Sequence, residues 1–105
     1  MNTKKYLDAL PVFERVMGGR PTFGELVEAF RVTDEISQAD LAKKMGISRS
    51  HLCDIEKGRR NVTLERAIKF AKILGYPEYS FVAAALEDLV RRAGLKKYRV
   101  RLDVA

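Results

Sequence analysis

Apolar side chains recur every three or four residues through the middle of the chain, and this spacing predicts five helices between residues 22 and 94. Each predicted helix begins at a hydroxyl residue that can cap its N-terminus, and these residues are Thr22, Ser37, Ser48, Thr63 and Ser80. The inward-facing positions, helix by helix, are Leu26, Val27 and Phe30; Leu41, Ala42 and Met45; Leu52 and Ile55; Leu64, Ala67, Ile68, Ala71 and Leu74; and Phe81, Val82, Ala85, Leu86, Leu89 and Val90.

The first 21 residues follow a weaker pattern. Apolar positions predict two short helical pieces, one around Tyr6 to Leu10 and one around Val12 to Met17, separated by a proline that fits only a first helical turn. A flexible break at Gly18-Gly19 follows. Residues 1–21 are therefore interpreted as an N-terminal helical arm with a linker.

The last eleven residues, 95–105, alternate between apolar and polar side chains. Tyr98, Val100, Leu102 and Val104 are apolar, and the residues between them are charged, which is typical of a half-buried strand. The rest of the chain offers no second strand, so this one would need to pair with a second copy of the chain or with a partner protein. A frayed tail is the alternative.

The charge balance favours an anionic partner. Lys and Arg number 20 against 14 Asp and Glu, which gives a net charge of +6. Nucleic acid fits this charge, although a merely basic surface fits it as well. The single cysteine excludes an internal disulfide and agrees with a reducing, cytoplasmic location. The longest strongly apolar stretch, 81–86, is far shorter than a membrane span.

Enzymatic chemistry finds no support in the residue types present. One His and one Cys cannot supply a metal-ligand set, and we expect no cofactor. His51 and Cys53 stand two residues apart on one predicted helix, so their side chains point to nearly opposite sides and cannot form a nucleophile–base pair. No Gly-rich phosphate loop follows a strand. The chain is therefore interpreted as a binding protein.

The second and third predicted helices are joined by an unusually short connection. Ala42 is small enough to let the two helices approach, and Gly46 stands at the bend, where a positive φ is needed. Ile47, Leu52 and Ile55 provide the apolar contacts that hold the helices at a steep angle. This ordered set of small residue, glycine and buried aliphatics is typical of a helix-turn-helix motif.

With these residues the chain resembles the Cro/CI-type, Xre-like helix-turn-helix regulators. The resemblance implies an all-α, five-helix, lambda-repressor-like domain that binds double-stranded DNA, usually as a dimer on a pseudo-palindromic operator. It covers about residues 22–76. The matching positions are Thr22, Gly24, Leu26, Arg31, Ser37, Gln38, Leu41, Ala42, Met45, Gly46, Ile47, Ser48, Leu52, the run from Ile55 to Asn61, and the helix from Leu64 to Leu74.

The third helix is expected to enter the major groove with its N-terminal residues nearest the base edges. Ser48 begins this helix, and Arg49, Ser50 and His51 occupy its first turn. Arg49 can donate two hydrogen bonds to guanine, Ser50 can donate or accept, and His51 can contact a base or a phosphate.

Other candidates suit the phosphate backbone. The resemblance implies that Gln38 either binds phosphate or supports the reading helix, and Lys43 is a further candidate. The basic loop after the third helix, formed by Lys57, Arg59, Arg60 and Asn61, is suited to grip phosphates.

Asp54 departs from the family pattern, in which a polar or basic residue is usual. It could read a cytosine, weaken DNA binding, or pair with a neighbouring arginine such as Arg49, and we rank the pair first. The resemblance also implies a buried or half-buried ion pair between Arg31 and Glu56. Cys53 is read as a small filler. The basic residues of the fourth helix are read as a solvated face, and they are Arg66, Lys69 and Lys72.

We therefore expect a homodimeric, cytoplasmic, sequence-specific DNA-binding regulator, most simply a repressor. The alternative is an antitoxin whose terminal segments, 1–17 or 95–105, neutralise a toxin while the central domain represses the operon. A toxin-type neighbouring gene would favour the alternative. The sequence does not distinguish repression from activation.

Overall fold

The computed structural model describes residues 21–105, and this part of the chain is built from five α-helices. The five-helix, all-α prediction is confirmed for these residues. The two helical pieces expected in residues 1–17 lie outside the described residues. The helices are α1 (Phe23–Thr33), α2 (Gln38–Met45), α3 (Arg49–Glu56), α4 (Leu64–Leu74) and α5 (Glu78–Arg92).

Four of the five predicted N-caps are confirmed. Thr22 forms a full capping box, in which its hydroxyl accepts from the Glu25 N–H and the Glu25 carboxylate accepts from the Thr22 N–H. The hydroxyls of Ser37, Ser48 and Thr63 each accept a hydrogen bond from a backbone N–H in the first turn of the following helix. These caps satisfy amide groups that a helix start leaves unpaired, and they fix where α1 to α4 begin.

The start of α5 differs from the prediction. Pro77 is the N-cap, with no side-chain cap bond, and Ser80 lies buried inside the helix, so the Ser80 cap was wrong. Pro77 holds an extended backbone with φ −60° and ψ 133°, so α5 begins three residues earlier than a serine cap at position 80 would allow. Leu89, predicted to face inward, is 46% exposed, whereas Ala83 and Glu87 are buried.

The core is centred on aromatic rings contributed by different helices. Phe23 of α1 meets Phe70 of α4 and Phe81 of α5 edge to face, with centroids 5.7 and 6.0 Å apart. Phe30 packs against Phe81 and against Tyr76, which follows α4. Burying each ring contributes about 1.5–3 kcal/mol, and edge-to-face pairs add to this. The aromatic core thus holds α1, α4 and α5 together, and α2 and α3 pack against this group of helices.

The strand predicted for residues 95–105 is wrong. After α5 the described chain forms a turn closed by Tyr98 N–H donating to the Leu95 carbonyl, and no strand appears within residues 21–105. The alternation is real, but a strand needs a partner for its backbone hydrogen bonds, and the described helices offer none. Within the same residues, no helix combines the length and apolarity needed to cross a membrane.

Candidate nucleic-acid interface

The bend between α2 and α3 has the geometry expected of a helix-turn-helix motif. Gly46 adopts a left-handed conformation with φ 73° and ψ 30°, and its N–H and that of Ile47 donate to the carbonyls of Lys43 and Ala42. Lys69 of α4 donates from Nζ to the Met45 carbonyl at 3.0 Å. Lys69, predicted to be a solvated surface residue, therefore also holds the C-terminal end of α2.

The buried carboxylate of Glu56, the last residue of α3, connects α3 to α1 and α2. The Glu56 side chain is 1% exposed and receives Nε of Arg31 at 2.7 Å and Nη2 of Arg31 at 3.1 Å. Gln38, at the start of α2, donates from Nε2 to the same carboxylate at 2.9 Å. The predicted Arg31–Glu56 pair is confirmed, and the Gln38 geometry favours its supporting role over a phosphate contact.

The base-facing and backbone-gripping candidates differ in their exposure. Most of them are exposed, and Gln38, His51 and Asp54 are half-buried. Arg49 and Ser50, in the first turn of α3, are exposed and present polar atoms to solvent. The exposed candidates are Lys43, Ser48, Arg49, Ser50, Lys57, Arg59, Arg60 and Asn61.

Asp54 pairs with arginines, but not with the one proposed. Its carboxylate lies 3.3 Å from Nη1 of Arg59 and 3.7 Å from Nε of Arg60. The suggested pairing with Arg49 was wrong, because five residues along an α-helix turn a side chain by about 140° to a different face. The backbone reinforces the observed pair, since the Arg59 N–H donates to the Asp54 carbonyl at 2.8 Å.

His51 contacts a residue that the sequence placed on a solvated face. Nη1 of Arg66, in the first turn of α4, lies 3.2 Å from Nε2 of His51. Burial lowers the pKa of His51, the positive charges of Arg60 and Arg66 lower it further, and Asp54 acts in the opposite direction. The one signal in the sequence for this contact is a basic residue three positions after the Thr63 cap.

The loop after α3 is also attached to the last helix. Nη2 of Arg92 donates to the Gly58 carbonyl at 2.8 Å. No signal in the sequence predicts this attachment. It holds the loop that carries Arg59, Arg60 and Asn61 at a fixed place relative to the core.

Within residues 21–105 no group of three or more His, Cys, Asp or Glu side chains could hold a metal ion. Cys53 is a free, half-buried thiol on α3. The exposed candidate residues on and next to α3 are hydrogen-bond donors and cations, which suit a polyanion.

Comparison with known proteins agrees with this geometry. The helix-turn-helix family model matches residues 25–81, which is more than half of the chain. The chain belongs to the helix-turn-helix family of Cro/CI-type, Xre-like DNA-binding transcription regulators. Members of this family are transcription regulators and not enzymes.

The chain is similar to several proteins that are named as regulators or control proteins. The chain is 44% identical over 46 residues to an uncharacterised HTH-type transcriptional regulator of Methanocaldococcus jannaschii, covering 44% of this chain and 70% of the relative. It is 39% identical over 57 residues to the control protein C.BamHI of Bacillus amyloliquefaciens, covering 53% and 70%. The crystal structure of the restriction-modification controller protein C.AhdI of Aeromonas hydrophila superposes with a TM-score of 0.53 at 32% identity, covering 56% and 89%.

Proposed function

We propose that this chain is a sequence-specific transcriptional repressor that acts in the cytoplasm by inserting α3 into the major groove of its operator. The observation that carries the proposal is the exposed first turn of α3, with Arg49 and Ser50 presented to solvent, above the buried Glu56 support. A rigid support matters because base readout requires donors held in place against the edges of the bases.

The proposed interface makes two kinds of contact with DNA, one to base edges and one to phosphates. Arg49, Ser50 and His51 read base edges, and each good contact contributes about 1–3 kcal/mol of discrimination. We assign the exposed Ser48 and Lys43 to the edge of the groove, and Gln38 acts through its bond to Glu56. The loop residues bind phosphates without reading sequence, and they are Lys57, Arg59, Arg60 and Asn61.

The length of α3 supports a homodimer. An eight-residue helix is about 12 Å long, which spans about four base pairs, too few to define a unique site in a genome. Two copies related by a twofold axis double the site and produce a palindrome. The regulator relatives support DNA as the partner.

We assign the dimer contact to residues 95–105, without the strand expected there. Leu95, Tyr98 and Val104 are 47%, 52% and 98% exposed, which is a high apolar exposure for so short a segment. A chain ending at Gly94 should therefore dimerise more weakly in analytical ultracentrifugation. An unchanged monomer–dimer equilibrium would reject this assignment and leave the DNA-binding proposal intact.

The antitoxin alternative gains no support. Nothing in residues 21–105 and nothing in the names of the three relatives points to a toxin.

Selection of bound sequences from a random DNA pool tests the proposed function. We expect enrichment of a palindrome whose half-sites are separated by about one helical turn, and repression of a reporter placed behind that site. Failure to enrich any sequence over random DNA would overturn the proposal, and activation of the reporter would overturn the repressor assignment alone.

A further inference from the structure

The contact between His51 and Arg66 joins a base-facing position of α3 to the first turn of α4. Arg66 is held in place because its own backbone N–H donates to the Thr63 hydroxyl at 3.2 Å. From there its Nη1 reaches Nε2 of His51, also at 3.2 Å. The contact therefore links the first turns of α3 and α4. The Thr63 cap fixes the backbone position of Arg66 from which the contact is made.

The chemistry of the two groups decides which nitrogen of the His51 ring carries the proton. A guanidinium has only donors and does not lose its proton in proteins, so a hydrogen bond from Arg66 requires a lone pair on Nε2. A neutral imidazole has a single N–H, which must then be on Nδ1. The neutral ring is favoured here, since burial and the cations Arg60 and Arg66 lower the pKa of His51 against the opposing effect of Asp54.

We propose that Arg66 is a specificity-determining positioning residue, which holds His51 in the Nδ1–H form so that His51 reads a hydrogen-bond acceptor on the edge of a guanine. Guanine is the base of choice because it presents two adjacent acceptors, N7 and O6, in the major groove. The inference rests on the proposed function, since His51 needs a duplex to read.

A plain phosphate contact by Arg66 would behave differently. In that case its removal would weaken binding to every sequence alike and lower the salt dependence. A positioning role predicts instead a loss of preference at one base pair, the one that His51 reads. The two roles are therefore separable in a single selection experiment.

The first test needs no DNA. His51 is the sole histidine of the chain, so an imidazole nitrogen NMR spectrum of the full-length protein contains one residue and needs no assignment. We expect the Nδ1–H form in the wild type and in Arg66→Lys, which keeps a donor. Arg66→Ala should show both tautomers and a raised His51 pKa.

Lys72→Ala is the matched control, because it removes one positive charge from an exposed position on the same helix and should leave the spectrum unchanged. A wild-type ring with its proton on Nε2 would overturn the inference. An Arg66→Ala spectrum identical to that of the wild type would do the same.

The second test uses selection from a random DNA pool. His51→Ala identifies the base pair that His51 reads, which we expect to be G·C. Arg66→Ala should reduce preference at that position alone, by about fivefold, while Arg66→Lys and Lys72→Ala keep it. An A·T pair there would overturn the guanine assignment, and a uniform loss of affinity in Arg66→Ala would overturn the positioning role.

If the proposed function were wrong, the selection experiment would give a different result. A wild-type chain that enriches no sequence would overturn DNA reading as such. The imidazole spectrum would still decide whether Arg66 fixes the His51 tautomer.

Discussion

Gly24 of α1 lies so close to the backbone of α3 that a Cβ atom on Gly24 would overlap the carbonyl oxygen of Ile55. The same Cβ would lie 2.7 Å from the Glu56 carbonyl oxygen. Both obstacles are backbone atoms, which cannot rotate away. The absence of a side chain at position 24 therefore allows α1 to approach α3 this closely.

Gly24→Ala should destabilise the protein. Overpacking of this kind costs about 1–3 kcal/mol, and we expect the upper part of this range, because rigid backbone is displaced. Urea denaturation would measure the loss in unfolding free energy. Val32→Ala, at a 58% exposed position of the same helix, should change stability by no more than about 0.5 kcal/mol. Equal effects of the two substitutions would contradict the close approach.

Glu56→Ala should be more damaging still. It leaves Arg31, whose side chain is 12% exposed, without its carboxylate, and it removes the acceptor of Gln38. Losing one member of such a buried pair costs about 3–5 kcal/mol. The double replacement Arg31→Met with Glu56→Leu should recover most of this loss in chemical denaturation. A double variant no more stable than Glu56→Ala would show that the hydrogen bonds themselves, and not the stranded charge, carry the stability.

Local signals in the sequence predicted the helices well, because caps and stops act over a few residues. Thr22, Ser37, Ser48 and Thr63 cap as predicted, and Gly46 ends α2 in the left-handed conformation. The Ser80 cap failed where a competing local signal, the fixed φ of a proline, took precedence.

Contacts between distant residues were harder to predict. The sequence gives no register between α4 and α3 or between α5 and the loop, so the bonds Arg66–His51 and Arg92–Gly58 were not anticipated. Arg31–Glu56 was predicted only through the family resemblance. The alternation in 95–105 predicted a strand because a period of two says nothing about whether a pairing partner exists.

Asp88 should make stability depend on pH in the acidic range. Its carboxylate accepts from the Phe23 N–H at 3.1 Å and from Arg91, yet burial raises its pKa above the usual 3.8. A group whose pKa is raised by folding binds its proton more tightly in the folded state, so its contribution to stability grows as pH falls through the raised pKa and levels off below 3.8.

Asp88→Asn keeps an acceptor for Phe23 and removes the titration. Denaturation of both proteins from pH 7 down to pH 4 should therefore show the wild type gaining stability relative to the variant. Parallel curves for the two proteins would mean that Asp88 has the same pKa in the folded and unfolded chains.

Arg49 and Arg60 should affect DNA binding in different ways. Arg49→Ala removes the proposed base contact and should relax preference at one position by about 1–3 kcal/mol. Arg60→Ala removes the proposed phosphate contact, so it should weaken binding to all sequences alike and reduce the salt slope by about one. Gel shifts on the selected site and on scrambled DNA at several salt concentrations separate these effects. If neither variant differs from Lys72→Ala, both assignments are wrong.

Asp54→Asn should strengthen DNA binding. The Asp54 carboxylate, 34% exposed, neutralises Arg59 and Arg60 in the free protein, and it repels phosphates that approach α3. Exposed ion pairs contribute about 0–1 kcal/mol to folding, so the variant should remain folded. Releasing two arginines should raise affinity for specific and scrambled DNA several-fold and steepen the salt dependence.

Glu78→Gln is the control for this charge change, because it removes one exposed carboxylate from the first turn of α5. Its affinity should stay close to that of the wild type. The opposite result for Asp54→Asn, a loss of preference confined to one G·C pair, would mean that the carboxylate accepts from cytosine N4 in the complex. In that case Asp54 must leave its arginines on binding, and the salt dependence would already be steep in the wild type.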